Sequence, residues 1–361
     1  MACEGKSIEA LSIVFTLGIA MGTLLFPPHS TTPGSLLLPL VALPVLLKGP
    51  ILNLPERQAT GIILLTYLLL GMFCASMADI PAAEYISPIE DLAARAVSRL
   101  RAFIGSLPFS NADTAPLLQA LLTGDRSGLS AQTVAVFRGS GASHLLALSG
   151  LHIGIIYLIF DKFTWIVGRS GPARAIRFGL IVSGALFFTL MTGAGPSIVR
   201  AFLFILINET LRLMNRPRKA LRVLCLALFI QLVLDPSTIK SVGFQLSYLA
   251  MAGIFLLYPL LESWYPGGKG FNPLRRIWQA AALSISCQVF TAPLAWYRFH
   301  SFPRFFLITN LLAIPLTTAL IGVAVCTLAL SSIGLCPPLL LQATDLLSTL
   351  LQSTLTIIST L

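Results

Sequence analysis

Apolar runs long enough to cross a lipid bilayer recur from residue 8 to the last residues of this chain, and no other feature constrains its fold so strongly. A helical crossing takes about 20 predominantly apolar residues. Inside hydrocarbon each backbone N–H and C=O must find a partner within the protein, so a run of this kind folds as a helix. Crossings are expected near 8–26, 36–47, 59–77, 143–160, 175–192, 196–214, 220–234, 241–261, 277–297, 304–330 and 338–360. The chain reads as an all-α polytopic integral membrane protein of about eleven transmembrane helices, broken ones included. Hydrophobic residues make up 56% of it and charged residues 11%, a balance outside that of ordinary soluble domains. The first run follows one Lys and two Glu and precedes no clear small-residue cleavage site, so it reads as a retained span. The run 36–47 is short and holds Pro39 and Pro44, which marks it as short or broken.

Lys and Arg number 24 against 14 acidic residues. Cytoplasmic-loop charge that sets topology explains such an excess, and attraction for a polyanion is the sharper alternative. With the N-terminus inside, the inner loops collect fifteen basic residues and the outer segments eight. That bias places the N-terminus in the cytoplasm and puts 79–137 and the turn at 193–196 outside. The six cysteines at 3, 74, 225, 287, 326 and 336 form no C-x-x-C pair and have no nearby His at zinc spacing. Most lie in apolar runs and read as small buried hydrophobes. No P-loop and no H-E-x-x-H pattern occurs, so no cofactor, metal site or catalytic role is expected.

Three parts follow from the pattern: spans in 1–78, an outside or interfacial linker in 79–137, and a second membrane domain in 138–361. The linker segment 90–107 sets Leu92, Ala96, Leu100 and Phe103 on one side and Arg95, Arg99 and Arg101 elsewhere. Such a helix lies along the bilayer surface or under the bundle rather than crossing it. A short apolar helix is expected at 114–123, a turn at 124–128, and a helix capped by Ser130 after it.

Within 139–161 the residues His144, Ser149, Gly150 and His152 interrupt an otherwise apolar run. Unpaired polar groups are costly in lipid, so such residues face a bundle interior or a wet cavity. Ser149-Gly150 is a natural place for a bend or break. The two histidines stand eight residues apart, about 80° out of line on an ideal helix, which makes them poor ligands for one metal. Pore lining or helix-to-helix hydrogen bonding suits them better, beside a purely structural role. Arg200 is the one Lys or Arg that this loop count leaves, in the interior of an expected span rather than at its end. It follows Gly193-Ala194-Gly195-Pro196-Ser197, where Pro196 opens a new helix. Helix N-terminal amides bind anions, and Arg200 lies one turn in, on the side of Pro196 and Ser197. These three residues are candidates for holding an anion such as a phosphate oxygen; the alternative is an Arg that snorkels or meets a helix carbonyl. Gln245, Ser247, Gln288 and Asn310 are polar groups within apolar spans, where they glue helices or line the same pathway. Pro293 and Pro315 mark expected kinks or breaks, and Glu209 is placed to pair with Arg212.

Several blocks resemble the ComEC competence family. They are L-L-T-G-D-R at 121–126, H-L-L-A-L-S-G-L-H at 144–152, G-A-G-P-S-I-V-R-A at 193–201, and D-P at 235–236 with G-F-Q-L-S at 243–247. S-C-Q-V-F-T-A-P-L at 286–294 and N-L-L-A-I-P-L at 310–316 complete the order. The resemblance runs from about residue 115 to the C-terminus. It implies a channel in the bacterial inner membrane that carries single-stranded DNA during natural transformation. Separate DNA-binding, nuclease and motor proteins of a competence machinery are implied as partners. Fuller members carry an OB-like domain and often a metallo-β-lactamase-like domain. The stretch 79–115 is too short for the first, and no H-x-H-x-D-H signature marks the second. The rival reading is a secondary transporter of small anionic or lipid-linked solutes, since broken helices with their dipole ends facing the midplane suit that class equally.

Overall fold

A computed structural model describes residues 4–25, 56–76, 87–168, 170–265, 272–300 and 303–361. The short span expected at 36–47 lies outside them. All regular structure among the described residues is helical. The chain divides into two compact units, one of residues 1–85 and 206–248, the other of 86–205 and 249–361.

In the first unit, α1 (Glu4–Leu25) packs on α2 (Glu56–Ser76). Their crossing is set by small residues: a methyl on Gly18 would stand 2.1 Å from the Leu68 carbonyl oxygen, and one on Gly71 2.2 Å from that of Phe15. Close backbone approach of this kind is how helices associate where no hydrophobic drive separates them from lipid. Phe15 and Ile19 are fully buried. Phe15 and Tyr67 both meet the ring of Phe229, at 4.6 and 5.8 Å.

The second unit begins with α3 (Ser87–Ser106), α4 (Thr114–Thr123) and α5 (Ala131–Gly139). The amphipathic helix is there, but its buried stripe is Ala93, Val97 and Ile104, with Leu92 60% exposed. The stripe is turned by one residue from the Leu92–Phe103 side, because α3 seats on two partners, α4 and α8 (Gly171–Met191), rather than on a flat surface. Ser130 caps α5, its Oγ accepting from the Thr133 N–H at 3.0 Å. The expected span 143–160 is interrupted: α6 (Ser143–Leu146) stops, and α7 (Gly150–Phe163) starts after a three-residue break.

After α8 come α9 (Pro196–Leu213) and α10 (Ala220–Leu234). The 241–261 run splits at Leu257 into α11 (Val242–Leu256) and α12 (Tyr258–Ser263). Then α13 (Pro273–Phe299), α14 (Phe306–Ser332) and α15 (Pro338–Ser359) complete the order. Pro293 and Pro315 do not break their helices; α13 and α14 run on through both. Each proline costs one backbone bond, which packed membrane helices tolerate.

Four segments combine the length and apolarity of a crossing: Ile8–Leu25, Gly171–Met191, Val242–Ser263 and Phe306–Ser332. They support four of the roughly eleven expected spans. The long helix α15 buries Thr344, Asp345 and Ser348 while Leu339, Leu346 and Ile357 stay at the surface. Thr327 and Thr344 hydroxyls meet at 3.1 Å between α14 and α15. Polar groups turned inward with leucines outward is the arrangement lipid surroundings select, and the chain is a helical membrane protein.

Candidate functional site

The site is built around the break between α6 and α7. Where α6 stops, its last carbonyls lose their helical partners. Arg126 supplies one, its Nε–H donating to the Leu146 carbonyl at 3.1 Å. Arg126 is placed by the end of α4. There Gly124 takes the left-handed conformation (φ +77°) that closes a helix and that glycine adopts without strain. A methyl on Gly124 would stand 2.6 Å from Leu148 Cδ1, so this turn presses directly on the break. Asp125 completes the turn through an ion pair with Arg101 at 3.1 Å. The Ser127 hydroxyl and backbone amide, aided by Arg101, hold the Asp125 carboxyl below its usual range.

Ser149 then caps α7. Its backbone is extended, and its Oγ accepts from the Leu151 N–H at 3.3 Å. His152 folds back so that Nδ1 accepts from the Ser149 N–H at 3.2 Å and lies 3.1 Å from Ser149 Oγ. This is a capping box with histidine in the place usually held by Glu or Gln. His152 is 1% exposed, and its Nε2 is buried with no hydrogen-bond partner among the described residues.

The third side comes from α9. Gly193 and Ala194 turn through positive φ, and the Gly195 carbonyl accepts from the Ile198 and Val199 amides at 2.9 and 3.0 Å. One turn on, Arg200 is buried at 6% exposure, an unusual place for a guanidinium. Its tip rests on Gly150: a methyl there would lie 2.6 Å from Arg200 Nη2 and 3.3 Å from Ala201 Cβ. Ile153 on α7, Ile181, Ala185 and Phe188 on α8, and Ile198, Ala201 and Ile205 on α9 form one apolar cluster that joins the three helices. The arrangement sets a buried cation against the glycine that opens α7, at the positive end of that helix.

The structure thus gathers Ser149, His152 and Arg200 around Gly150, with Pro196 at the first position of α9 and Ser197 half-buried beside it. His144 is exposed, its Nδ1–H donating to the Gly141 carbonyl at 3.1 Å. Gln245 belongs to the first unit, where its Nε2 donates to the Ile239 carbonyl at 2.7 Å, and Ser247 is half-buried on α11. Gln288 is half-buried on α13; Asn310 is half-buried on α14, its Oδ1 without a partner among the described residues. No cluster of three His, Cys, Asp or Glu suited to a metal occurs among the described residues. Gly124 and Arg126, which the sequence marks only as part of a turn, and Gly150, marked there only as a bend, are positioning residues. Their signal is membership in the blocks 121–126 and 144–152.

The sequence model of the competence protein family matches residues 121–361, about two thirds of the chain. The chain is 26% identical over 206 residues to ComE operon protein 3 of Bacillus subtilis, covering 57% of this chain and 25% of that protein. It is 27% identical over 216 residues to Recombination protein 2 of Haemophilus influenzae, covering 57% and 27%. With competence protein ComA of Neisseria gonorrhoeae it shares 28% identity over 207 residues, covering 55% and 28%. The aligned part spans between a quarter and a third of the length of these curated relatives. No solved structure matches the chain. The three blocks that meet at Gly124, Arg126, Gly150 and Arg200 all lie in the matched region, and by that match the chain belongs to the competence protein family.

Proposed function

We propose that this chain forms the inner-membrane channel through which single-stranded DNA enters the cell during natural transformation. The observation that carries the reading is Arg200: a buried guanidinium resting on the glycine that starts α7. A strand presents one phosphate charge per nucleotide, and Lys and Arg contacts to phosphates dominate its binding. One embedded cation with helix-end donors attracts each phosphate in turn without gripping many at once, which transit requires. The relatives' names speak of competence and recombination, in keeping with this reading. Separate DNA-binding, nuclease and motor proteins are the proposed partners, the bilayer is the surrounding, and no catalysis is assigned to this chain.

The broken helix at 147–149, with an N-terminus turned toward a cation, also favours a second reading: secondary transport of a small anionic or lipid-linked solute. A strain lacking this chain decides between them. Loss of transformation by linear DNA with small-anion accumulation intact supports the channel; undiminished transformation contradicts it. The charge bias further puts the N-terminus in the cytoplasm. Cysteines placed at Ser110 and Ser170 should label from outside and from inside respectively, and the reverse pattern sinks that orientation.

A further inference from the structure

We infer that Asp345, on the last helix, is a positioning residue for the break between α6 and α7, and that it acts through α4 and Arg126. The inference rests on the reading of that break as the functional site and does not depend on which anion passes it.

Helix α4 is fixed at its start from across the unit. Asp113 stands at its cap position and makes no side-chain cap bond. The entry loop is held instead by α15. Asp345 Oδ2 accepts the Ser110 N–H at 2.7 Å, between residues 235 positions apart in the chain. One turn further along α15, Thr349 Oγ1 accepts from Asn111 Nδ2 at 3.1 Å. The Oδ1 of the same Asn111 amide accepts the Asp113 N–H at 2.9 Å. Asp345 and Thr349 stand four residues apart, on one face of α15. Together they set where α4 begins. Asp345 is 8% exposed, and its Oδ1 is buried with no partner among the described residues. Burying a carboxyl with one oxygen unpartnered works against stability. Packing therefore does not explain an Asp here, whereas a strong acceptor for the Ser110 N–H does.

What is set at the start of α4 is delivered at its end. The helix has ten residues, a rod about 15 Å long. Leu117, Leu118 and Leu121 along it are fully buried, in a core shared with Leu145 and Leu146 of α6. A helix in a close-packed core shifts as a unit. Its far end carries the Gly124 turn against Leu148 and the Arg126 bond to the Leu146 carbonyl. A slip at Ser110 therefore reaches the break.

The test is hydrogen exchange, read by mass spectrometry on the full chain in detergent micelles. In Asp345→Leu, exchange at 107–114 and at 143–152 should quicken about tenfold, as loss of a hydrogen bond to a charged group implies. Asp345→Asn should stay near the parent, because its amide oxygen still accepts from Ser110. Arg126→Gln should quicken 143–152 alone, and adding Asp345→Leu to it should quicken that segment no further. If Asp345→Leu does not fold, Thr349→Val loosens the same loop and should quicken the same two segments to a lesser degree. Quickening confined to 107–114, or spread over the whole chain, overturns the inference. So do Asp345→Asn behaving as Asp345→Leu and additive effects at 143–152 in the double variant. None of these measurements involves DNA, so they stand apart from the channel reading, which falls if a strain lacking this chain transforms normally.

Discussion

Glycines let the chain close up tightly in two places, and what they meet differs. Between α1 and α2, Gly18 and Gly71 face backbone carbonyls across the helix crossing. At the start of α7, Gly150 faces the tip of the Arg200 side chain. A helix backbone cannot retreat without moving its whole helix, whereas a guanidinium on a long stem can swing aside. The first contact is therefore a condition of folding and the second a condition of where a charge is held. The same kind of residue admits a helix backbone in one unit and a charged side chain in the other.

Substitution should separate them. Gly71→Leu drives a side chain into the Phe15 carbonyl, and overpacking of this kind costs about 1–3 kcal/mol or more. The expected outcome is a steep fall in inserted protein and in the Tm of what remains, read by quantitative blotting of membranes and by thermal melting in detergent. Wild-type abundance and Tm would mean that α1 and α2 do not cross this closely. The smaller effect is Gly150→Ala. Its methyl displaces Arg200 Nη2, so membrane level should be unchanged while DNA uptake per protein falls about tenfold, equivalent to about 1.4 kcal/mol. Equal loss of protein and of uptake would make Gly150 a packing glycine like Gly71 and erase the contrast.

What could be read from the residues was what depends on near neighbours in the chain. The helix at Thr114–Thr123, the Ser130 cap, the break beside Ser149 and the Glu209–Arg212 pair at 3.4 Å all follow from periodicity or from short spacings. The differences arise where packing decides. The buried stripe of α3 turns by one residue because two helices share it, and of the kink or break expected at Pro293 and Pro315 the helices show no break. Arg200 was singled out correctly as the buried cation, but its partner was not, since nothing in the spacing of residues 150 and 200 says that they touch. The same holds for Gly124 against Leu148 and Arg126 against Leu146, contacts that turn separate sequence blocks into one structure.

The central claim is that Arg200 acts on a passing strand rather than on the fold. It is tested most directly by transformation frequency, normalised to the amount of protein in the membrane, for Arg200→Gln and Arg200→Lys. A charge within a span disfavours insertion, by about 2.5–3.5 kcal/mol at the helix centre on insertion scales, so removing that of Arg200 should not hinder insertion. The account predicts both variants at wild-type abundance, with uptake abolished in Arg200→Gln and partly kept in Arg200→Lys, which supplies a point charge without the planar fork. Normal uptake by Arg200→Gln at wild-type abundance would remove Arg200 from the pathway, and loss of both proteins from the membrane would make it a structural residue.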